Sequence, residues 1–297
     1  MTLPEPFRAG YLAIIGCPNV GKSTLMNRLI GAKLSITSRK AQTTRHRIHG
    51  ILTTDDCQYV FVDTPGFQTQ HRTALNRAMN RTVNAALADV DVILFVIEGT
   101  RWRVEDQAVL DKLPVDRPVI LVINKVDRLA DKNALLPFLA SAAERHAFAD
   151  MVPVSAENGD NLDTLLKVAG RHLPEAEPIF SPDELTDRSE RFLAAELLRE
   201  KLFRNLGEEL PYGIAVEIEK YEEVDGIRRI HAAVIVDRDA HKAIVIGKGG
   251  ERLKRVASDA RKDMEQLFGG KVWLETWVKV KSGWADDERA LKSLGYE

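Results

Sequence analysis

Two domains of different class are expected from this sequence: an α/β domain with a mostly parallel sheet and helices on both faces, followed by an α+β domain. Three observations predict it. Short apolar runs alternate with helix-length segments over residues 1–173, a stretch rich in proline and acidic residues occupies 174–187, and from 188 onward the rhythm becomes helix, strand, strand, helix, helix, strand.

In the first domain YLAII reads as a strand, followed by a helix from Lys22 to Ile30 that Gly31 closes. IHGILT and QYVFVD pair through Asp55-Asp56 as a hairpin, which supplies an antiparallel edge. DVILFVI, RPVILVIN and MVPVSA continue the parallel rhythm, and Asn161 to His172 is the last helix. PEAEPIFSPDELTD, with three prolines and five acidic residues, reads as a linker. Beyond it Phe192, Leu193, Leu197, Leu198, Leu202 and Leu206 repeat at helical spacing. IAVEIEK and IHAAVIV read as strands, two helices meet at Gly247 to Gly250, and KVWLETWVKVK is a third strand. On that last strand Trp273 and Trp277 are expected to pack beneath a helix.

The 297 residues are 44 % hydrophobic and 29 % charged, a globular mixture. No apolar run approaches the roughly 20 residues that span a bilayer, and the N-terminus lacks a basic and then apolar leader, so a cytoplasmic protein is expected. The two cysteines, Cys17 and Cys57, make no disulfide framework and suit a reducing compartment. A net charge of -2 excludes global attraction to polyanions, so such a partner must be held by a local patch.

GCPNVGKS satisfies G-x-x-x-x-G-K-[ST] between a strand and a helix. There the backbone curls round phosphate with its N–H groups inward, at a positively polarised helix start. Gly16, Cys17, Pro18, Asn19, Val20, Gly21, Lys22, Ser23 and Thr24 form this candidate loop, Lys22 bridging the outer phosphates and Ser23 holding Mg2+. Asp63 ends QYVFVD close to Ser23 and is a second metal position; Gly66, lacking a side chain, lets its N–H approach the third phosphate. Between them SITSRKAQTTRHR has no apolar periodicity and is expected to be solvated. A threonine hydroxyl from it, Thr44 or alternatively Thr43, can complete the metal shell when the third phosphate is present. Lys22, Thr44, Asp63 and Gly66 are therefore the expected reaction residues. NKVD supplies Asn124, Lys125 and Asp127, whose carboxylate accepts from N1–H and the 2-amino group of guanine, two donors that adenine does not offer together. Ser155 and Ala156 of VSA follow, with a backbone N–H for the guanine carbonyl. GTP and GDP are the implied ligands.

In the second domain Gly247, Lys248, Gly249 and Gly250 fit the GXXG loop of a KH domain, where small residues let backbone pass close to single-stranded RNA. Residues 238 to 262 carry eight Lys or Arg against three acidic residues, including Arg252, Lys254 and Arg255. Such a run is ordinarily a solvated helix face; beside a GXXG loop it reads as an RNA surface.

Taken together, GCPNVGKST, SRKAQTTRHR, DTPGF, NKVD, VSAEN, VIGKGG and VKVKSGWADDERALKSLGYE resemble the Era family of bacterial ribosome-assembly GTPases over nearly the whole chain. That resemblance implies a P-loop GTPase domain (1–173), a linker (174–187) and a type II KH domain with a tail (188–297). It also implies binding of the 3′ end of 16S rRNA, Trp284 stacking there, and a role in 30S ribosomal subunit assembly as a monomer with peripheral inner-membrane association. The rival reading is a GTPase acting on a membrane or protein partner with RNA binding accessory. The family places a hydrophobic residue, here Phe67, where many relatives use a water-orienting glutamine; Gln68 comes one position late. Asn19 matches the residue with which related members hold K+, which would supply transition-state charge. The implied intrinsic rate is slow, on the order of 10⁻⁴ to 10⁻² per second.

Overall fold

The structure, a computed structural model, describes residues 6–38, 43–66, 74–207 and 210–294. Phe67 and Gln68 lie outside them. The chain divides into two compact units.

The first unit contains β1 (Arg8–Ile15), α1 (Lys22–Ile30), β2 (Ile48–Thr53), β3 (Cys57–Asp63), α2 (Ala74–Ala88), of which it takes the part from Asn80, β4 (Val92–Glu98), α3 (Val104–Leu110), β5 (Val119–Asn124), α4 (Leu135–Ala143), β6 (Asp150–Pro153) and α5 (Leu162–Arg171). Strand order is β2-β3-β1-β4-β5-β6, with β2 antiparallel and the others parallel. β3 and β5 are buried along their whole lengths, as strands covered on both faces must be, which is why their sequences are nearly continuous apolar runs. α1 stops where Gly31 takes a left-handed φ of 76° and its N–H bonds back to the Asn27 carbonyl. This winding brings the carboxyl ends of β1, β3 and β5 to one edge of the sheet, where the phosphate, metal and base motifs begin.

The stretch 174–187, expected as a linker, is pinned along this unit. The Gln58 side chain accepts from the N–H groups of Ile179 (2.7 Å) and Phe180 (2.9 Å) and donates to the Phe180 carbonyl (2.9 Å). Ile51 N–H donates to the Leu185 carbonyl at 2.9 Å. The buried amide offers the bend at Ile179 and Phe180 both donor and acceptor, which proline and charge content do not reveal.

The second unit contains α6 (Glu190–Asn205), β7 (Ile214–Val224), β8 (Ile227–Val236), α7 (Asp239–Ile246), α8 (Glu251–Phe268), β9 (Lys271–Val280) and α9 (Glu288–Ser293). Described residues of 36–45, and α2 through Met79, group with it. β7 and β8 are antiparallel and β9 joins parallel to β8 as an edge strand. The core lies between α6, α8 and one sheet face, where Leu197, Leu202, Ile230, Val234, Val256 and Met264 meet.

Two expectations fail here. Trp273 and Trp277 do not pack beneath a helix: Val272, Leu274 and Val278 point to the helices, and Trp273 is 46 % exposed on the opposite face. Strand alternation separates the two sets, but both are apolar. The helix face closes over Ala260 and Val256, where compact aliphatic chains pack against close backbone. Trp284 is not a stacking surface. It is 1 % exposed, its indole N–H donates to the Gly213 carbonyl at 3.2 Å, and it packs among Leu75, Met79, Ala215, Ile235 and Leu291. α9, which the sequence reading does not contain, closes over it, started by Asp287 accepting from the Arg289 and Ala290 N–H groups.

Candidate functional site

The phosphate loop is held by its own backbone and by the base motif. Lys22 is buried, and its Nζ donates to the carbonyls of Gly16 (3.0 Å) and Cys17 (2.9 Å). Burial lowers its pKa from the ordinary lysine value, with Asp63 opposing. Gly16 and Gly21 are required by contact as well as by conformation. A Cβ at Gly16 would lie 2.2 Å from the Val96 carbonyl oxygen, and one at Gly21, where φ is 103°, 2.3 Å from Asn124 Nδ2. Asn124 Nδ2 donates to the Val20 carbonyl at 2.9 Å, and Lys125 Nζ donates to that of Asn19 at 2.7 Å. Lys125 is also paired with Glu98 at 3.0 Å. Burial opposes ionisation of Glu98, yet Lys125 and Arg103 hold its carboxyl below the usual range. Residues more than 100 positions apart thus form one rigid edge, and Glu98 is a member that no motif marks.

Cys17, inside the loop, carries a thiol pushed up to about 12, first by burial and then by the Asp106 carboxylate. It should resist iodoacetamide at about pH 8 in the folded chain, because the thiolate is the nucleophile. Mass spectrometry checks this, and alkylation at the rate of a free thiol would show a loop that opens.

At the metal position Asp63 is buried, and its Oδ2 accepts from Ser23 Oγ (2.7 Å) and Ser35 Oγ (2.6 Å). One carboxylate with hydroxyl groups is a hard oxygen set that suits Mg2+, which is ordinarily held by one or two carboxylates plus substrate phosphates and water. No group of three or more His, Cys, Asp or Glu that could hold a metal occurs among the described residues. Ser35 was missed by the sequence reading: it lies in a polar stretch without periodicity, yet it is fully buried. Gly66 lies against the loop, a Cβ there falling 3.2 to 3.3 Å from Pro18.

The stretch expected to be solvated is partly buried. Thr44 and Arg45 are 6 % and 1 % exposed. The Thr43 carbonyl accepts from Arg199 at 2.6 Å, and Arg45 donates to the Ile214 carbonyl at 2.8 Å. The guanidinium groups of Arg45 and Arg199 lie 5.4 and 5.2 Å from the Phe203 ring centre. Planar cations stacked on an aromatic ring can be buried where their N–H groups find carbonyls, an outcome that polarity counts do not anticipate.

For the base, Asp127 Oδ1 accepts from Ser155 Oγ at 2.6 Å, which fixes the carboxylate. The Ala156 N–H donates to Asn124 Oδ1 at 3.0 Å, which braces this loop against the base motif.

In the second unit α7 ends at Gly247, and the left-handed φ values of Gly247, Gly249 and Gly250 (74°, 58° and 80°) carry the chain into α8. Lys248, Lys254 and Arg255 are exposed, whereas Arg252 turns back to donate to the Ile244 carbonyl and closes α7. Beside the loop a groove of about 400 Å³ runs between α8 and the edge strand β9, lined by Lys254, Ser258, Arg261, Leu274 and Thr276 among others. Its β9 wall was not foreseen, because only the fold makes β9 an edge.

A phosphate loop tied to an NKVD element, followed by a GXXG turn beside a groove lined by Lys254 and Arg261, defines a P-loop GTP-binding protein fused to an RNA-binding module. The 50S ribosome-binding GTPase family model matches residues 11–125, and the KH domain model matches residues 209–285. The chain is 61 % identical to the GTPase Era of Nitrosomonas eutropha, covering 98 % of each chain. Among solved structures, an Aquifex aeolicus Era variant bound to GDP and AlF4- is 40 % identical with a TM-score of 0.95, covering 98 % of this chain and 99 % of that one. Another, Era in complex with MgGDPNP and nucleotides 1506–1542 of 16S ribosomal RNA, is also 40 % identical, with a TM-score of 0.94 and the same coverage. The chain belongs to the Era family of GTPases.

Proposed function

We propose that this chain is a GTP-hydrolysing switch that, in its triphosphate state, holds the 3′ end of 16S rRNA in the groove beside Gly247 to Gly250 and assists assembly of the 30S subunit. The observation that carries the reading is the joined edge of the first unit. Asn124 and Lys125 tie the phosphate loop to the base motif, Lys22 braces the loop through its own Gly16 and Cys17 carbonyls, and Ser23 meets Asp63 where Mg2+ would sit. The relative solved with MgGDPNP and 16S rRNA supports the choice of RNA.

In this reading Lys22 neutralises the outer phosphates, Asp127 selects guanine, and Ser23, Asp63 and Thr44 hold the metal. Mg2+, when bound, supplies charge stabilisation at the transferred phosphoryl group. The Gly66 N–H and the Thr44 hydroxyl read the third phosphate. Two charge-assisted bonds of about 1.5 to 3 kcal/mol each are just enough for the about 5.5 kcal/mol that reverses a 1:99 equilibrium. An RNA partner then adds to the bias. The protein works in the cytoplasm as a monomer, with any contact at the inner membrane peripheral; no helix among the described residues is long and apolar enough to cross a bilayer.

The direct test is RNA affinity with a non-hydrolysable GTP analogue and with GDP. Tighter binding in the triphosphate state is expected, and equal affinities would refute the coupling. Gly249→Asp puts a carboxylate beside the RNA backbone at a left-handed φ of 58°, and should remove most RNA binding while GTP affinity stays unchanged. Because Asn19 is proposed to hold K+, exchanging K+ for Na+ should slow hydrolysis; identical rates remove that part of the reading.

A further inference from the structure

The face of the β7-β8-β9 sheet turned away from α6 and α8 carries aromatic side chains that the GTPase and groove readings leave unused. His231 on β8 lies 5.2 Å from the Trp273 ring and 6.1 Å from the Trp277 ring, both on β9. Trp273 is 46 % exposed, among the most exposed large hydrophobic side chains of this unit. The charges around it are unevenly matched. Glu222 is paired with Lys220, Glu275 with His231 and Glu219 with Lys279. Lys271, two residues before Trp273 on the same strand face, is exposed and forms no ion pair among the described residues; Arg229, opposite Trp273 in register, is also exposed and faces Glu222 across the β7-β8 pair. An exposed indole flanked by two exposed cations suits a ligand with flat apolar rings and repeated negative charge, whereas an apolar protein surface would leave both cations desolvated.

The surface is also continuous with the groove. β9 is the shared wall: Leu274 and Thr276 face the groove side, Trp273 and Trp277 the open side, and Glu275 both lines the groove and pairs with His231. Trp273 and Trp277 are separated by about 13 Å along the strand at about 3.3 Å per residue, room for more than one base.

We propose that this open face is a second single-stranded RNA subsite, on which bases that have left the groove over the edge of β9 stack on Trp273 and Trp277 while Arg229 and Lys271 meet their phosphates. The inference rests on the groove being an RNA site. It assigns the open face a sequence-tolerant stacking role, since every base has a π face.

The test uses the full-length chain and a degenerate pool of fluorescein-labelled RNA 12-mers, read by anisotropy across a salt series. Trp273→Ala is expected to weaken binding about tenfold, the scale of one lost base stack, with little change in salt slope, because stacking releases no counterions. Trp273→Phe should recover most of the loss. Arg229→Ala should weaken binding and also flatten the slope. An unchanged affinity in Trp273→Ala overturns the proposal, including the case in which sedimentation shows that this face takes a second copy of the chain. The two readings separate on Gly249→Asp: if that variant still binds the pool like the parent, the groove reading fails. If it loses binding while Trp273→Ala does not, only the open-face subsite fails.

Discussion

Asp127→Asn is expected to lower GTP affinity by about 10² to 10⁴, because two hydrogen bonds to a charged acceptor are lost and each contributes about 1.5 to 3 kcal/mol. The Ser155 hydroxyl that donates to Asp127 Oδ1 at 2.6 Å can donate equally to an asparagine Oδ1, so the loop should keep its shape and the loss should fall on the base. Asparagine then turns an N–H2 group towards two guanine donors. A xanthine nucleotide, with a carbonyl in place of the 2-amino group, accepts from that N–H2 and should bind the variant better than the guanine nucleotide does. Calorimetry with GDP and the xanthine diphosphate measures both arms. A variant that keeps GDP within about threefold would show that Asp127 does not read the base.

Trp284→Ala is expected to destabilise the second unit by about 3 to 5 kcal/mol, the cost of deleting a fully buried large aromatic side chain. The Gly213 carbonyl loses its indole donor at 3.2 Å, and the contacts of Leu75, Ile235 and Leu291 lose their centre. Thermal unfolding monitored by circular dichroism should show a markedly earlier transition. Trp284→Phe, which refills most of the volume, should unfold later than the alanine variant and bind RNA like the parent. If Trp284 were a stacking surface, the alanine variant would instead lose RNA affinity at unchanged stability. The two outcomes exclude each other, and burial to 1 % favours the first.

The correction at Trp284 and that at Trp273 have one cause. A strand places alternate residues on opposite faces, and a tail residue can lie in or out, but which face is covered depends on elements distant in the chain. Trp284 is buried because Ala215, Ile235, the start of α2 and α9 surround it, and these span residues 74 to 291. Trp273 is exposed because α6 and α8 cover the other side. Similarly, Ser35 donates to Asp63 only because the segment after α1 returns to the end of β3, and Gln58 captures the proline-rich stretch because that stretch runs past β3. The local expectations fare better. The helix Lys22–Ile30 with Gly31 as its stop, the hairpin edge of β2 and β3, and the helix and strand order of the second unit all follow from caps, turns and periodicity within a few residues.

Whatever depends on backbone geometry over a handful of consecutive residues is legible in the sequence itself: the phosphate loop, the NKVD element, the GXXG turn and the class of each unit. Glycine at a left-handed φ, a lysine one residue after it and a carboxylate at a strand end carry their meaning in short order, because the chemistry is made by neighbouring atoms of one segment. Long-range packing, by contrast, sets which tryptophan is core and which is surface, that Ser35 meets Asp63, and which strand is the edge that walls the groove. Those are outcomes of packing between segments tens to hundreds of residues apart, where burial is set by what covers a side chain rather than by what the side chain is.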